Sequence, residues 1–218
     1  MTDNIYKIFY QEEDPLTPFA ISYSVRVLEE QILEPGECIY LTEAILLKEG
    51  DIINNNRQYR DDGGTGLGGD SLTAKFKAYN MLQWEDNHVC VKIKQKLREC
   101  IDKMHPDLNE KVYAQMWANV LRRGQAIRPH QHACDQYSYL SANITLQATN
   151  TKTVYQNPYG LDNLAFDNKQ GNITMFPEYL IHWTTAHNEG NHPRVTLGVD
   201  ILTESALDRK HLDRLVEI

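Results

Sequence analysis

The chain has 218 residues, 41% of them hydrophobic and 24% charged, with a formal net charge of −8. Such a length buries one sizeable core and demands no second domain, and the acid excess argues against a nucleic-acid backbone as partner. No run of about 18 apolar residues marks a membrane span, and the N-terminal MTDNIYKIFYQEEDP is too acidic and polar for a signal peptide. Cys38, Cys90, Cys100 and Cys134 form no CxxC pair, which fits a soluble protein of a reducing, cytoplasmic compartment.

Residues 1–110 read as a mixed supporting region. Ile5 to Tyr10 suits a short strand, while ECIYLTEAILLKEG fits helix and strand alike. The segment GGTGLGGD contains the glycine spacing of a dinucleotide fingerprint at Gly64, Gly66 and Gly69. That motif works only between a buried strand and a helix N-terminus. Here it follows NNNRQYRDD and precedes SLTAKF, so residues 54–73 read as a glycine-rich loop that forms a lid. Between Asp86 and Met104, the residues Val89, Ile93, Leu97, Ile101 and Met104 recur at steps of four, four, four and three. This spacing predicts an amphipathic helix, ended near Pro106.

The period then changes to two. Val112, Ala114, Met116, Ala118 and Val120 alternate with other residues, as do Leu140, Ala142, Ile144 and Leu146, and later Val195, Leu197, Val199 and Ile201. These are strands with one apolar face, and NITMF reads as another. Turn signals fall at Asn157 to Gly160, at Gly171 and from Asn188 to Pro193. The tail, residues 203–218, carries Leu207, His211 or Leu212, and Leu215 at helical spacing. Helices first and then many short strands predict an α+β domain in which N-terminal helices brace a β-sandwich or barrel.

The candidate chemistry lies in AIRPHQHACDQ, residues 126–136. On a strand, His130 and His132 point to one face and can converge on a cation. A third partner must come from elsewhere, and His182, five residues past Pro177, offers one. Arg194 follows on the next strand. The competing reading of each histidine is a solvated surface side chain, which is the default for His187 and His192 in their polar turn.

From Val112 to Leu202 the chain resembles the iron(II) and 2-oxoglutarate-dependent oxygenases, in particular their prolyl-hydroxylase-like branch. The residues that carry the resemblance are Trp117, Asn119, Gly124, His130, His132, Gly171, Phe176, Pro177, His182, Arg194 and Thr196, in that order. It implies a double-stranded β-helix (jelly-roll) core over residues 111–202, an Fe(II) cofactor, 2-oxoglutarate and O2 as co-substrates, and hydroxylation of an acceptor that is a peptide residue such as proline or a small metabolite. It further implies that His130 and His182 are metal ligands and that Arg194 grips the far carboxylate of 2-oxoglutarate. Thr196 would help from the same strand face, and Tyr139 and Asn143 would line the co-substrate pocket.

The chain departs from the family's pattern at the carboxylate ligand. The HxD position holds His132, and the nearest acid is Asp135. Shape favours His132, since positions i and i+2 need no bulge, whereas charge favours Asp135, which a bulge would turn inward. Two readings of other kinds remain open. A cupin-type metal protein shares the architecture and an HxH start, but it lacks the following glutamate and leaves Arg194 without a task. A non-catalytic β-sandwich interaction module would carry no stoichiometric metal.

Overall fold

The computed structural model describes residues 5–10, 23–55, 62–132, 139–157, 162–206 and 214–218. Its elements in chain order are strands β1 (Ile5–Tyr10) and β2 (Tyr23–Gln31), helices α1 (Pro35–Asn55) and α2 (His88–Met104), and strands β3 (Val112–Leu121), β4 (Leu140–Gln147), β5 (Lys152–Tyr155), β6 (Leu164–Asp167), β7 (Asn172–Pro177), β8 (His182–Thr184), β9 (Arg194–Thr203) and β10 (Val216–Glu217). Short 3-10 turns at Thr73–Lys75, Met81–Gln83 and Glu204–Ala206 join them.

Local chemistry explains both helix ends. Pro35 opens α1 at a position where no amide partner is needed, and the Glu37 carboxylate reaches back to accept from the Glu34 amide at 2.8 Å. Asn87 caps α2, its side chain accepting from the amides of Val89 and Cys90. The helix ends at His105, the residue before Pro106, where helical backbone is sterically disfavoured. The expected spacing of α2 is the observed one: Val89, Ile93, Leu97, Ile101 and Met104 are all buried.

The strands form two antiparallel sheets, one of seven strands in the order β1-β2-β7-β4-β9-β3-β10 and one of three in the order β6-β5-β8. Alternation along the strands divides the interior in two. Leu140, Ala142, Ile144 and Leu146 of β4 and Val195, Leu197, Val199 and Ile201 of β9 join Leu41 and Ile45 of α1 and Ile93, Leu97 and Ile101 of α2 in one large cluster. A smaller cluster unites Val25 and Val27 of β2 with Phe176 of β7, Leu180, Tyr155 of β5 and Phe166 of β6. One face of the large sheet therefore packs on the helices, and the other faces the small sheet.

Two expectations meet a different structure. The tail was expected as a helix over 203–218; where described, it is the end of β9, one 3-10 turn and the strand β10, whose Val216 and Glu217 pair with Ala114 and Tyr113 of β3. Residues 207–213 lie outside the described residues. The first strands also do more than flank the core, since β2 enters the large sheet beside β7. No helix among the described residues is long and apolar enough to cross a membrane.

Candidate metal centre

The register of β9 sets the site. Its even-numbered residues Arg194, Thr196, Gly198 and Asp200 leave the helix-packed face, and their partners on β3 are Leu121, Asn119, Trp117 and Gln115. On β4 the partners of Thr196, Gly198 and Asp200 are Thr145, Asn143 and Ser141. Opposite them stands the small sheet, with Thr153 on β5 and His182 and Thr184 on β8. Trp117, Asn119, Asn143, Gly198, Thr153, His182 and Thr184 all line one cavity between the sheets, of about 30 Å³. That is room for a water or two.

His130, His132 and His182 meet at this cavity, each with a ring nitrogen within 4.8 Å of the others'. Backbone pairing holds them there: His130 and His182 form an isolated antiparallel bridge with N–H to C=O distances of 3.0 and 2.9 Å. The His132 amide donates to the Glu178 carbonyl at 3.2 Å. All three rings use Nδ1 for a local acceptor. His130 Nδ1 donates to the Arg128 carbonyl at 2.8 Å, His182 Nδ1 to the Leu180 carbonyl at 3.0 Å, and His132 Nδ1 to the Asp200 carboxylate. An Nδ1 that donates leaves Nε2 as the lone-pair nitrogen of a neutral ring. Three such Nε2 atoms on one cavity form a donor set suited to a divalent transition metal.

The electrostatics agree. Burial, and then the neighbouring His132 and His130, hold His182 well below the ordinary imidazole range, and burial followed by His132 lowers His130. These two rings stay neutral and available as ligands. Burial opposes the charged form of His132 as well, but the adjacent Asp200 carboxylate outweighs it and raises that ring.

Arg194 is the largest fully buried side chain among the described residues, at 0% exposure, and Nε, Nη1 and Nη2 all lack a hydrogen-bond partner. Burial pulls its pKa down to about 10, so it remains a cation at neutral pH. The Thr196 hydroxyl and the Trp117 indole nitrogen are likewise buried and unpartnered. Unsatisfied buried cations are expensive, and a fork of free guanidinium donors beside a free hydroxyl suits a carboxylate. Arg194 lies four residues from Gly198 on one strand face, about 13 Å at roughly 3.3 Å per residue.

The other expected residues divide. Asn143 lines the cavity, whereas Tyr139 packs on His105 with ring centroids 5.0 Å apart, away from the histidines. Asp135 and Cys134 lie outside the described residues. His187 is buried rather than solvated: its Nε2 donates to the His192 carbonyl at 2.8 Å, and its backbone pairs with Gly124 and Gln125. Asp200 and Ser141 escaped sequence reasoning, although Asp200 continues the two-residue period of Arg194 and Thr196.

Part of the glycine-rich segment lies directly on the site. The Thr65 carbonyl accepts from the Arg128 amide at 2.9 Å, and buried Thr65 lines the cavity. Gly64 and Gly66, at φ of +79° and +78°, allow the close turns. A Cβ on Gly66 would lie 2.6 Å from Arg128 Nε. The Asp62 carboxylate accepts from the amides of Gly64 and Gly68, which ties the turn to one side chain.

No protein-family model and no curated protein matches the chain in sequence. Solved structures do match it in fold. A viral collagen prolyl hydroxylase from Paramecium bursaria Chlorella virus-1, in complex with 2-oxoglutarate, aligns at a TM-score of 0.55 and 15% identity over 80% of this chain and 94% of that one. A prolyl hydroxylase from Trichoplax adhaerens, in complex with a peptide fragment of hypoxia-inducible factor, aligns at 0.57 and 8% identity over 94% and 86%. A non-haem α-ketoglutarate-dependent carbocyclase of nogalamycin biosynthesis aligns at 0.56 and 11% identity over 88% and 87%. The chain thus shares its fold with 2-oxoglutarate and iron(II) oxygenases, prolyl hydroxylases among them.

Proposed function

We propose that the protein is a non-haem iron(II) and 2-oxoglutarate-dependent dioxygenase, built on a double-stranded β-helix core with helices α1 and α2 bracing its outer face. The observation that carries this reading is Arg194: a wholly buried, unpaired guanidinium on the strand that also faces the three histidines. A bare metal protein of cupin type, or an interaction module, has no use for that cation. In this reading His130, His132 and His182 hold the metal through Nε2, with His132 in place of the carboxylate that the sequence alternatively offered at Asp135.

Bound iron(II) would supply activation of O2 and oxidative decarboxylation of the 2-oxo acid, coupled to hydroxylation of the acceptor. The chain's own residues bind and orient. Arg194 and Thr196 take the far carboxylate of the diacid, and the stretch of β9 between Arg194 and Gly198 spans the distance between that anchor and the histidines. Trp117 and Asn143 wall the space between. A five-carbon diacid exceeds the cavity of about 30 Å³, so binding requires the wall to open. Thr65 and Gly64, which lie against the cavity and His130, form the part of the wall that would have to move, in keeping with a lid within residues 54–73. The prolyl hydroxylases among the structural neighbours support a peptidyl acceptor such as proline.

The test is calorimetry under nitrogen, titrating 2-oxoglutarate into manganese-loaded protein. Wild type should bind. Arg194→Ala should lose a charge-assisted contact of about 2 kcal/mol or more, hence roughly 30-fold in affinity, with metal binding unchanged. His182→Ala should lose the metal itself. Equal affinity for 2-oxoglutarate in wild type and Arg194→Ala, or binding to neither, would overturn the dioxygenase reading.

A further inference from the structure

The same face of β9 holds an anion where the metal's ligand set lacks one. Asp200 is the cross-strand partner of Ser141 on β4, and its carboxylate accepts from His132 Nδ1. The Ser141 hydroxyl donates to Asp200 Oδ1 at 3.3 Å and lies 3.1 Å from the same Nδ1. His132 is the one ring of the three whose acceptor is a charged side chain; the other two use backbone carbonyls. Both supporting residues stand on strands of the large sheet, whereas His132 itself stands outside the strands, its amide bonded to the Glu178 carbonyl.

We infer that Asp200 is a positioning residue for the metal: it holds His132 as the Nδ1–H tautomer and lends, through the ring, the negative charge that the missing carboxylate ligand would have placed on the cation. This rests on the metal reading above. A carboxylate behind a ligating imidazole fixes ring and tautomer and makes Nε2 a stronger donor. Three neutral rings alone would leave a divalent cation uncompensated until a co-substrate arrives. Ser141 keeps the carboxylate in place as a second donor, so the pair acts as one unit built across β4 and β9.

The test uses Co(II), followed by its visible spectrum and by calorimetry, on folded metal-free wild type, Asp200→Ala and Asp200→Asn. Asp200→Ala should weaken Co(II) by about 10- to 100-fold. Asp200→Asn preserves shape but removes the charge and also offers an amide N–H that favours the wrong tautomer, so it should weaken Co(II) too, with an altered visible spectrum. The midpoint potential of bound iron should move to more positive values in Asp200→Asn, a change that a merely structural role would not produce. Circular dichroism checks folding, and the isosteric Asn variant carries the test if the Ala variant does not fold. Wild-type affinity and an unchanged spectrum in the variants would overturn the proposal, as would collapse of both metal-free variants, which would make Asp200 a folding residue. A wild type that takes up no Co(II) would instead defeat the metal reading itself, taking this inference with it.

Discussion

The two faces of β9 have opposite characters. Val195, Leu197, Val199 and Ile201 point to the helices, are fully buried, and belong to the large apolar cluster. Arg194, Thr196, Gly198 and Asp200 point to the space between the sheets, and there Arg194 and Thr196 leave four polar atoms without partners. One backbone thus carries a face optimised for burial and a face that is incomplete by itself. The contrast separates what the fold needs from what a ligand must complete.

Breaking each face should give opposite results. Leu197→Ala removes buried methylenes from the large cluster and should cost about 2 to 5 kcal/mol of stability, read by denaturant titration, without a specific effect on metal or 2-oxoglutarate. Arg194→Met should behave in reverse. It replaces an unpaired buried cation with an apolar chain of similar length, so the metal-free protein should keep or gain stability, while 2-oxoglutarate binding weakens by roughly 30-fold or more. Loss of stability in Arg194→Met comparable to that of Leu197→Ala would show that the guanidinium serves the fold instead.

Gly198 sharpens the comparison, because it stands on the ligand face but is constrained by packing. A Cβ there would lie 2.7 Å from the Trp117 indole carbons. Gly198→Ala should therefore cost about 1 to 3 kcal/mol through overpacking and should disturb Trp117, which lines the cavity, measurable as a change in tryptophan fluorescence.

The smallest expected effect is on pH. In the unfolded chain a histidine takes up a proton near pH 6.5 or so. His182 and His130 resist protonation when folded, so the metal-free protein should keep their contribution above about pH 6.5 and lose it as the pH falls toward their depressed values. His132, raised by Asp200, works in the opposite sense: its contribution is present at low pH and is lost as the pH rises through its folded value. Thermal melts of metal-free protein should therefore decline from about pH 7 to 5, with a shallower decline in His182→Ala. Parallel slopes in the two proteins would contradict the burial argument.

How much of this was legible in the sequence depends on whether a segment buries one face or two. α2 and strands β3, β4 and β9 each pack one face against the large cluster, so period 3.6 or period 2 shows through. β2 sends Val25 and Val27 to one cluster and Leu28 to the other, which blurs its alternation, and α1 leaves Ile39 and Leu47 exposed, which blurs its helical stripe. β10 has only two residues, too few for any period. At the site, the HxH spacing, His182 and Arg194 were readable with the help of the resemblance. Asp200 was not, because its role depends on partners 59 and 68 residues away in sequence, Ser141 on the neighbouring strand and His132.

The central claim is that one cavity binds a metal at one end and a dicarboxylate at the other, and an anaerobic crystal structure with manganese and 2-oxoglutarate tests it most directly. The account predicts the metal on Nε2 of His130, His132 and His182, the far carboxylate paired with the Arg194 guanidinium and the Thr196 hydroxyl, and the Thr65 segment displaced. A metal bound elsewhere, or a diacid that leaves Arg194 unpaired, would contradict it.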